Sequence, residues 1–381
     1  MHIPLAKPEI LESDIEAVVT VLRSSQLSQG PVLRAFEDAL AAYLKVPHAV
    51  AVNSGTSALQ LALRVLEIQD SDEVILPSLS FMAVTNAVLS VGAIPVYVDI
   101  APGTLNMDPG KIESLLSPRT KAIIVVHSFG YAARMEKIMA LAKSHRLFVI
   151  EDACEAIGGE VNGHKVGTLG DIGIFAFYPN KQITTGEGGA LVTNSSALAE
   201  KASRLSNQGR VSSSAWLQHK EAGYSYRLSD INCALGLQQL SRIEDILNRR
   251  AALAQIYELY LKINSGIHFY RANPDSRTSW FAFPVLLPDG MRQLDRDEIW
   301  QELKETGIET ARYFPPSHLQ PVMEKFQFRR GDLSETMSIS QRLLCLPFFN
   351  SLQEFEIEFV CDALNRAVLK RSNAAHIYAV S

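Results

Sequence analysis

Cysteine is scarce: Cys154, Cys233, Cys345 and Cys361 are the only four in 381 residues, each set among apolar neighbours. Thiols so few and so widely spaced read as buried and free, with no basis for a disulfide framework or a zinc site. The nine histidines show no metal-ligand spacing, so no metal is expected. Basic charge is not concentrated anywhere, and the net charge is -5. Nucleic acid and anionic membranes therefore have nothing electrostatic to grip. No stretch reaches the roughly 18 uncharged apolar residues of a membrane span. The opening MHIPLAKPEI lacks the charged-then-apolar pattern of an export signal. These absences lead us to expect a cytoplasmic protein with neither a nucleic-acid nor a membrane partner.

What the chain has in quantity is material for a core. Hydrophobic residues make up 47% and charged residues 20%, over a length that accommodates a large domain with a smaller companion. Short apolar runs alternate with stretches of helical periodicity. Strands are expected at His48 to Val52, Glu73 to Leu76, Pro95 to Asp99, Ala122 to His127, Leu147 to Ile150, Ile172 to Phe177 and Ala190 to Thr193. Helices are expected from Ala58, over Phe81 to Leu89, Lys111 to Leu116 and Glu136 to Ser144, and along most of Tyr226 to Ile263. Near the start, Ser13 and Glu16 have capping-box spacing, followed by Ile15, Val18, Val19 and Leu22 on one face. A second amphipathic helix places Leu33, Phe36, Leu40 and Tyr43 inward. Further on, Asp295 and Glu298 read as N-cap and N3 of a helix that Gly307 ends, and a last helix covers Phe355 to Leu369.

Alternation of this kind implies an α/β fold whose mostly parallel sheet is covered on both faces. The pattern changes beyond the helical stretch, which places the boundary near residue 245. Residues 1–245 then form a large α/β/α domain and 246–381 a smaller α+β domain. Ligands of such sheets gather at the carboxyl ends of the strands. Ser54, Phe81, His127, Asp152 and Lys181 all fall at or just past such an end.

Lys181 is the residue around which the rest converges. It lies between the aromatic pair Phe177 and Tyr178 and the small-residue turn Gly186-Glu187-Gly188-Gly189. A lysine in a surface loop is ordinarily a solvated charge, whereas partial burial favours the uncharged amine that bonds to carbonyl carbon. Asp152 ends an apolar strand, either as a loop cap or as a carboxylate that keeps a heterocyclic nitrogen protonated. Asn53-Ser54-Gly55-Thr56-Ser57 feeds a helix N-terminus, where free N–H groups suit a phosphate as well as an ordinary cap. Pyridoxal phosphate needs both a lysine for its aldehyde and an acid for its ring nitrogen.

Together these segments resemble the DegT/StrS-type pyridoxal-phosphate-dependent sugar aminotransferases. The matching residues are Asn53 to Ser57, Glu151-Asp152-Ala153, Tyr178-Pro179-Asn180-Lys181 and Gly186 to Gly189. Ile3-Pro4-Leu5, Gly92 to Val96, Asp99 and His318-Leu319-Gln320-Pro321 extend the likeness over nearly the whole chain. The resemblance implies fold-type I architecture, that of aspartate aminotransferase. It also implies transfer of an amino group from L-glutamate to a nucleotide-linked keto-sugar, for amino-sugar and surface-polysaccharide biosynthesis, in a homodimer with shared sites.

Roles follow from the same resemblance. Lys181 would bond to the cofactor aldehyde and then carry the proton, and Asp152 would pair with the ring nitrogen. Glu155 stands where many relatives have glutamine beside the ring hydroxyl, and the glutamate is similar to the GDP-perosamine synthase branch. Gly55, Thr56 and Ser57 would hold the phosphate. Phe81 would stack on the ring, unless it packs in the core. Leu27, Ser28, Arg312, Tyr313 and His318 would meet the substrate, although His318 beside Pro315-Pro316 also suits a structural histidine. Arg210 and Arg227 fit oxyanion clamps or intersubunit ion pairs equally. Ala176 replaces a phosphate-binding serine, and Ser225 replaces an asparagine that reaches the neighbouring subunit's phosphate. These gaps leave room for a weakened, regulatory cofactor binder. A sugar dehydratase of the same fold would carry histidine at position 181.

Overall fold

The valine- and isoleucine-rich runs pair into an eight-stranded sheet in this computed structural model, which describes residues 1–211, 218–261, 266–270 and 276–379. In spatial order the strands are His48–Val52, Gly189–Thr193, Ile172–Ala176, Phe148–Asp152, Thr120–Val126, Glu73–Pro77, Ile94–Val98 and Arg329–Arg330. Gly189–Thr193 runs antiparallel to both neighbours, and every other pairing is parallel. Each parallel strand needs a crossover; helices supply several of them, while Phe148–Asp152 reaches Ile172–Ala176 through the short strands Glu160–Val161 and His164–Lys165.

Alternate residues serve opposite faces, as the pleat requires. Leu76, Ile124, Ile150, Ile174 and Leu191 meet Leu59, Ala62 and Leu63 of the helix Gly55–Val65. On the other face Val96, Ile123, Val125 and Val149 pack with Ile138 and Ala142 of the helix Met135–His145. Phe175, Ala190 and Val192 pack there with Phe36 and Leu40 of the helix Pro31–Leu44. A second, antiparallel sheet of His268–Phe269, Phe283–Leu286 and Leu343–Leu346 contributes to another core with the helices Ile243–Leu261 and Glu354–Ala379. Residue 245 falls inside the first of these two helices. Two contacts cross the sequence: Ile3 bridges to Ile308, and Arg329–Arg330 joins the large sheet beside Ile94–Val98.

Several helix boundaries differ from the sequence reading. The first helix is Glu12–Arg23, with Leu11 as N-cap, and the Asp14 carboxylate accepts the Leu11 N–H at 2.8 Å. Asp14 is selected over Ser13 because it is fully buried and pairs with Arg242 and Gln239. That contact turns the helix so that Ile15 and Leu22 are exposed. Likewise Asp295 is not an N-cap: the helix is Gln293–Glu305, and Asp295 bonds back to the Arg292 N–H at 2.8 Å. Gly307 follows it at φ 85°, a conformation glycine tolerates. Lys111 to Leu116 forms only the short 3-10 turns Pro109–Lys111 and Glu113–Leu115. The long helical stretch is two helices, Asp230–Ser241 and Ile243–Leu261, and its last two residues lie outside the described residues. Among the described residues, no helix is long and apolar enough to cross a membrane.

Candidate active site

The antiparallel pair Ile172–Ala176 and Gly189–Thr193 is joined by the loop that carries Lys181. Phe177 anchors the loop, fully buried with its ring 5.5 Å from that of Phe36, edge to face. The Phe177 carbonyl accepts the Thr185 N–H at 3.0 Å and the Thr184 hydroxyl at 3.0 Å. The Phe177 N–H donates to the Gly188 carbonyl at 2.9 Å, and Gly186 turns the chain at φ 81°. So closed a loop leaves Lys181 little backbone freedom. Its Nζ lies 3.6 Å from Glu155 Oε1 and 4.1 Å from the centroid of the Phe281 ring.

Asp152 ends its strand at the same sheet edge, where its Oδ1 accepts the Cys154 N–H at 3.0 Å. Glu155 Oε2 accepts the Phe129 N–H at 2.8 Å. Burial holds the Glu155 carboxyl above the usual carboxylate range, opposed by the Lys181 charge and the Phe129 N–H. Burial also pushes the Cys154 thiol well up, which keeps it protonated and unreactive.

The helix Gly55–Val65 points its N-terminus at this edge. Its N-cap, Ser54, takes the Ser57 N–H at 3.0 Å, and the two hydroxyls lie 2.9 Å apart. The Ala58 N–H goes to the Ser54 carbonyl. Gly55 and Thr56 are then the first-turn residues whose N–H groups helix geometry leaves for a ligand. Ser57, expected on the phosphate, has its N–H and hydroxyl at this cap. The strand end and the helix nearly touch: a Cβ on Gly55 would lie 2.7 Å from Ala176 Cβ and 3.0 Å from Cys154 Sγ. Only glycine lets the backbone come that close.

These parts line one cleft of about 430 Å³. Of the residues anticipated from sequence, Gly55, Thr56, Phe81, Asp152, Glu155, Lys181 and Tyr313 line it. Phe81 is 62% exposed with its ring 6.2 Å from Phe314, so core packing is not its role.

The other anticipated residues are elsewhere. His318 is buried, bonded to the Ser78 hydroxyl through Nδ1 at 2.6 Å, as a structural histidine would be. Arg312 pairs with Asp297 at 3.1 Å and lies over the Trp300 ring. Leu27, Ser28 and Ser225 are on the surface: Ser28 bridges to Ser229, and Ser225 bridges to Asn207. His127 also turns from the cleft. The Ala133 N–H donates to its Nδ1 at 3.1 Å, so the other nitrogen, Nε2, carries the proton and donates to Glu151 at 3.0 Å.

Sequence reasoning missed Phe281 and Phe314 altogether, since no motif marks either and both enter from the C-terminal half. Asn180 and Glu187 lay inside quoted motifs without an assigned part, yet both line the cleft.

With this geometry in place, comparison with known proteins is specific. Residues 8–365 match the model of the DegT/DnrJ/EryC1/StrS aminotransferase family. The chain is 36% identical to GDP-perosamine synthase of Escherichia coli O157:H7, over 96% of this chain and 98% of that protein. It is 35% identical to the spore coat polysaccharide biosynthesis protein SpsC of Bacillus subtilis, over 96% and 97%. Among solved structures, Helicobacter pylori PseC, an aminotransferase of pseudoaminic acid biosynthesis, superposes with a TM-score of 0.92 at 29% identity, covering 97% of this chain and 100% of that one. The chain belongs to the DegT/DnrJ/EryC1/StrS aminotransferase family, and its chemistry is pyridoxal-phosphate-dependent transamination.

Proposed function

We propose that this protein moves the amino group of L-glutamate onto a nucleotide-linked keto-sugar, in the cytoplasm and as a homodimer. The observation that carries the reading is that Lys181, Asp152 and the N-terminal turn at Gly55 and Thr56 line the same cleft. Those are an amine, a carboxylate and an anion-binding helix end, the three groups the cofactor requires. The close approach of Gly55 to Ala176 supports the fit, since any side chain there would fill the cradle.

Bound in the cleft, pyridoxal phosphate supplies an aldehyde for the amino group and a protonated ring that draws electrons from the reacting carbon. Gly55 and Thr56 hold its phosphate through backbone N–H groups and the Thr56 hydroxyl. The Asp152 carboxylate accepts the hydrogen bond of the ring N–H and keeps it protonated. Phe81, at the mouth, offers an aromatic face. Lys181 Nζ removes the proton from the donor's α-carbon and, in the second half-reaction, delivers one to the sugar carbon being aminated. Glu155 stays beside that amine throughout, fixed by Phe129.

Tyr313 and Phe314 bring the C-terminal segment to the cleft, in line with a smaller domain after residue 245 that closes on the substrate. Leu27, Ser28 and Ser225 lie away from their own cleft, which favours their serving a second copy's. The exposed apolar side chains Ile10, Leu11, Ile15 and Leu22 fit a surface such a copy would cover.

A panel of 3-keto- and 4-keto-nucleotide sugars incubated with enzyme and glutamate, read by mass spectrometry, tests the proposal. Gain of an amino group by at least one sugar, with 2-oxoglutarate formed, supports it. Amination of none, by enzyme that still converts bound cofactor to its amine form with glutamate, overturns the substrate assignment.

A further inference from the structure

Phe281 is held far more firmly than a cleft-lining ring requires. Its N–H donates to the Phe129 carbonyl at 3.2 Å, and its own carbonyl accepts from Arg250 Nη2 at 2.9 Å. Arg250 also gives Nε to the Trp280 carbonyl at 2.7 Å and Nη1 to Asn350 Oδ1 at 3.0 Å, with its guanidinium 4.8 Å over the Phe348 ring. Arg250 is 3% exposed, and among the described residues none of its partners is a carboxylate. A buried cation without a counter-ion is costly, and burial here brings its ordinary value down to about 9. Trp280 adds backbone strain, with φ at 50° in a region that bulky residues rarely enter. Two of the four hydrogen bonds that Arg250 makes among the described residues thus fix the two residues that set the ring at 281, and the other two tie the guanidinium to Asn350 and the Phe348 carbonyl. The other end of the strap is Phe129, whose N–H also fixes Glu155. One residue thus orders both neighbours of the Lys181 amine.

We infer that Phe281 is a positioning residue for Lys181, its ring face receiving the protonated amine whenever that amine is not bonded to the cofactor, with Arg250 holding the ring. The inference rests on the role given to Lys181 above. A transaminase lysine must return, on a flexible four-carbon stem, to the same place in every cycle. An aromatic face attracts the ammonium but not the neutral amine. It therefore retains the proton-carrying form and releases the other. Glu155 supplies charge, whereas the ring supplies a direction.

The test uses the full chain loaded with pyridoxamine phosphate, in which the lysine amine is free. Labelling of Lys181 by an amine-directed acylating reagent is followed across pH by peptide mass spectrometry. Titratable groups facing Lys181 are Asp152, Cys154, Glu155, Tyr178, Glu187 and Tyr313 in the cleft, with Lys7, Glu9 and Arg250 around the small void on its other side. All are common to variants that change only the ring, so their effects cancel. Phe281→Leu should lower the labelling midpoint by about half a pH unit and speed labelling at neutral pH about threefold. A fluorinated phenylalanine at position 281 keeps the packing, weakens the ring face and should shift the midpoint the same way; it decides the matter if the leucine variant does not fold. A midpoint unchanged in the folded variants overturns the inference. Borohydride reduction of the pyridoxal form, mapped by peptide, separates this from the prior reading: a pyridoxyl mark on another residue overturns the role of Lys181 itself.

Discussion

Lys181 Nζ stands 3.6 Å from Glu155 Oε1, and the same carboxylate takes the Phe129 N–H through its other oxygen at 2.8 Å. Removing the amine leaves Glu155 beside a buried cleft without its cation. Because burial already favours the neutral acid, that carboxyl can respond by taking up a proton. We therefore predict that Lys181→Ala abolishes glutamate-dependent transamination while circular dichroism and melting temperature stay close to the parent's. Undiminished turnover would remove Lys181 from its role.

Asp152→Asn keeps an oxygen for the Cys154 N–H, so the strand end should hold its shape. The lost interaction is a charge-assisted hydrogen bond, on the order of 1.5 to 3 kcal/mol. The rate should fall about ten- to a hundredfold with cofactor still bound, and stopped-flow absorbance with glutamate measures both.

Ala176 and Gly55 meet across the phosphate end of the cleft, and changes to the two should act in opposite directions. Ala176→Ser adds a hydroxyl where the family usually has one and should lower the cofactor's dissociation constant. Gly55→Ala places a methyl 2.7 Å from Ala176 Cβ and should raise it. Fluorescence titration of cofactor into stripped protein reads both variants.

Glu37 provides a pH test away from the cleft. Its Oε1 accepts the Ala51 N–H at 2.8 Å, and burial raises its carboxyl from 4.5 to about 7. The folded chain therefore binds more protons than the unfolded one across that window, and its stability falls as pH rises through it. Glu37→Gln keeps an acceptor and removes the titration. Urea unfolding should show the variant more stable by roughly 1 to 3 kcal/mol above about pH 7, with no gain below about pH 4.5.

His318 has the opposite sign. Burial, and then the charge of Arg330, hold its imidazole below the ordinary 6.5. The unfolded chain protonates first as pH falls past 6.5, so this group's contribution is present above that value and lost below it. His318→Asn retains a partner for the Ser78 hydroxyl, and its melting temperature should decline less than the parent's between about pH 7 and pH 5.

Much of the sheet was legible because parallel strands buried on both faces must be continuous apolar runs, and such runs announce themselves. The chemistry at the strand ends was legible too, since Lys181, Asp152 and the Ser54 turn sit in short segments of unusual composition. The helix starts were less so. Ser13 and Glu16 have capping-box spacing on paper, yet the helix begins after Leu11 with Asp14 at N3, held there by Arg242 and Gln239 from the distant end of the helix Asp230–Ser241.

From residue order alone came the alternation of strands and helices, the lysine loop and the family resemblance, because these rest on local composition and on neighbours in the chain. The tertiary structure alone decided that Asp14 pairs with Arg242, that His318 is buried against Ser78, and that Phe281 lies under the lysine amine. Each depends on which distant backbone arrives beside it. Such encounters are a property of the packed core, where close packing and the need to satisfy every buried polar group select one arrangement.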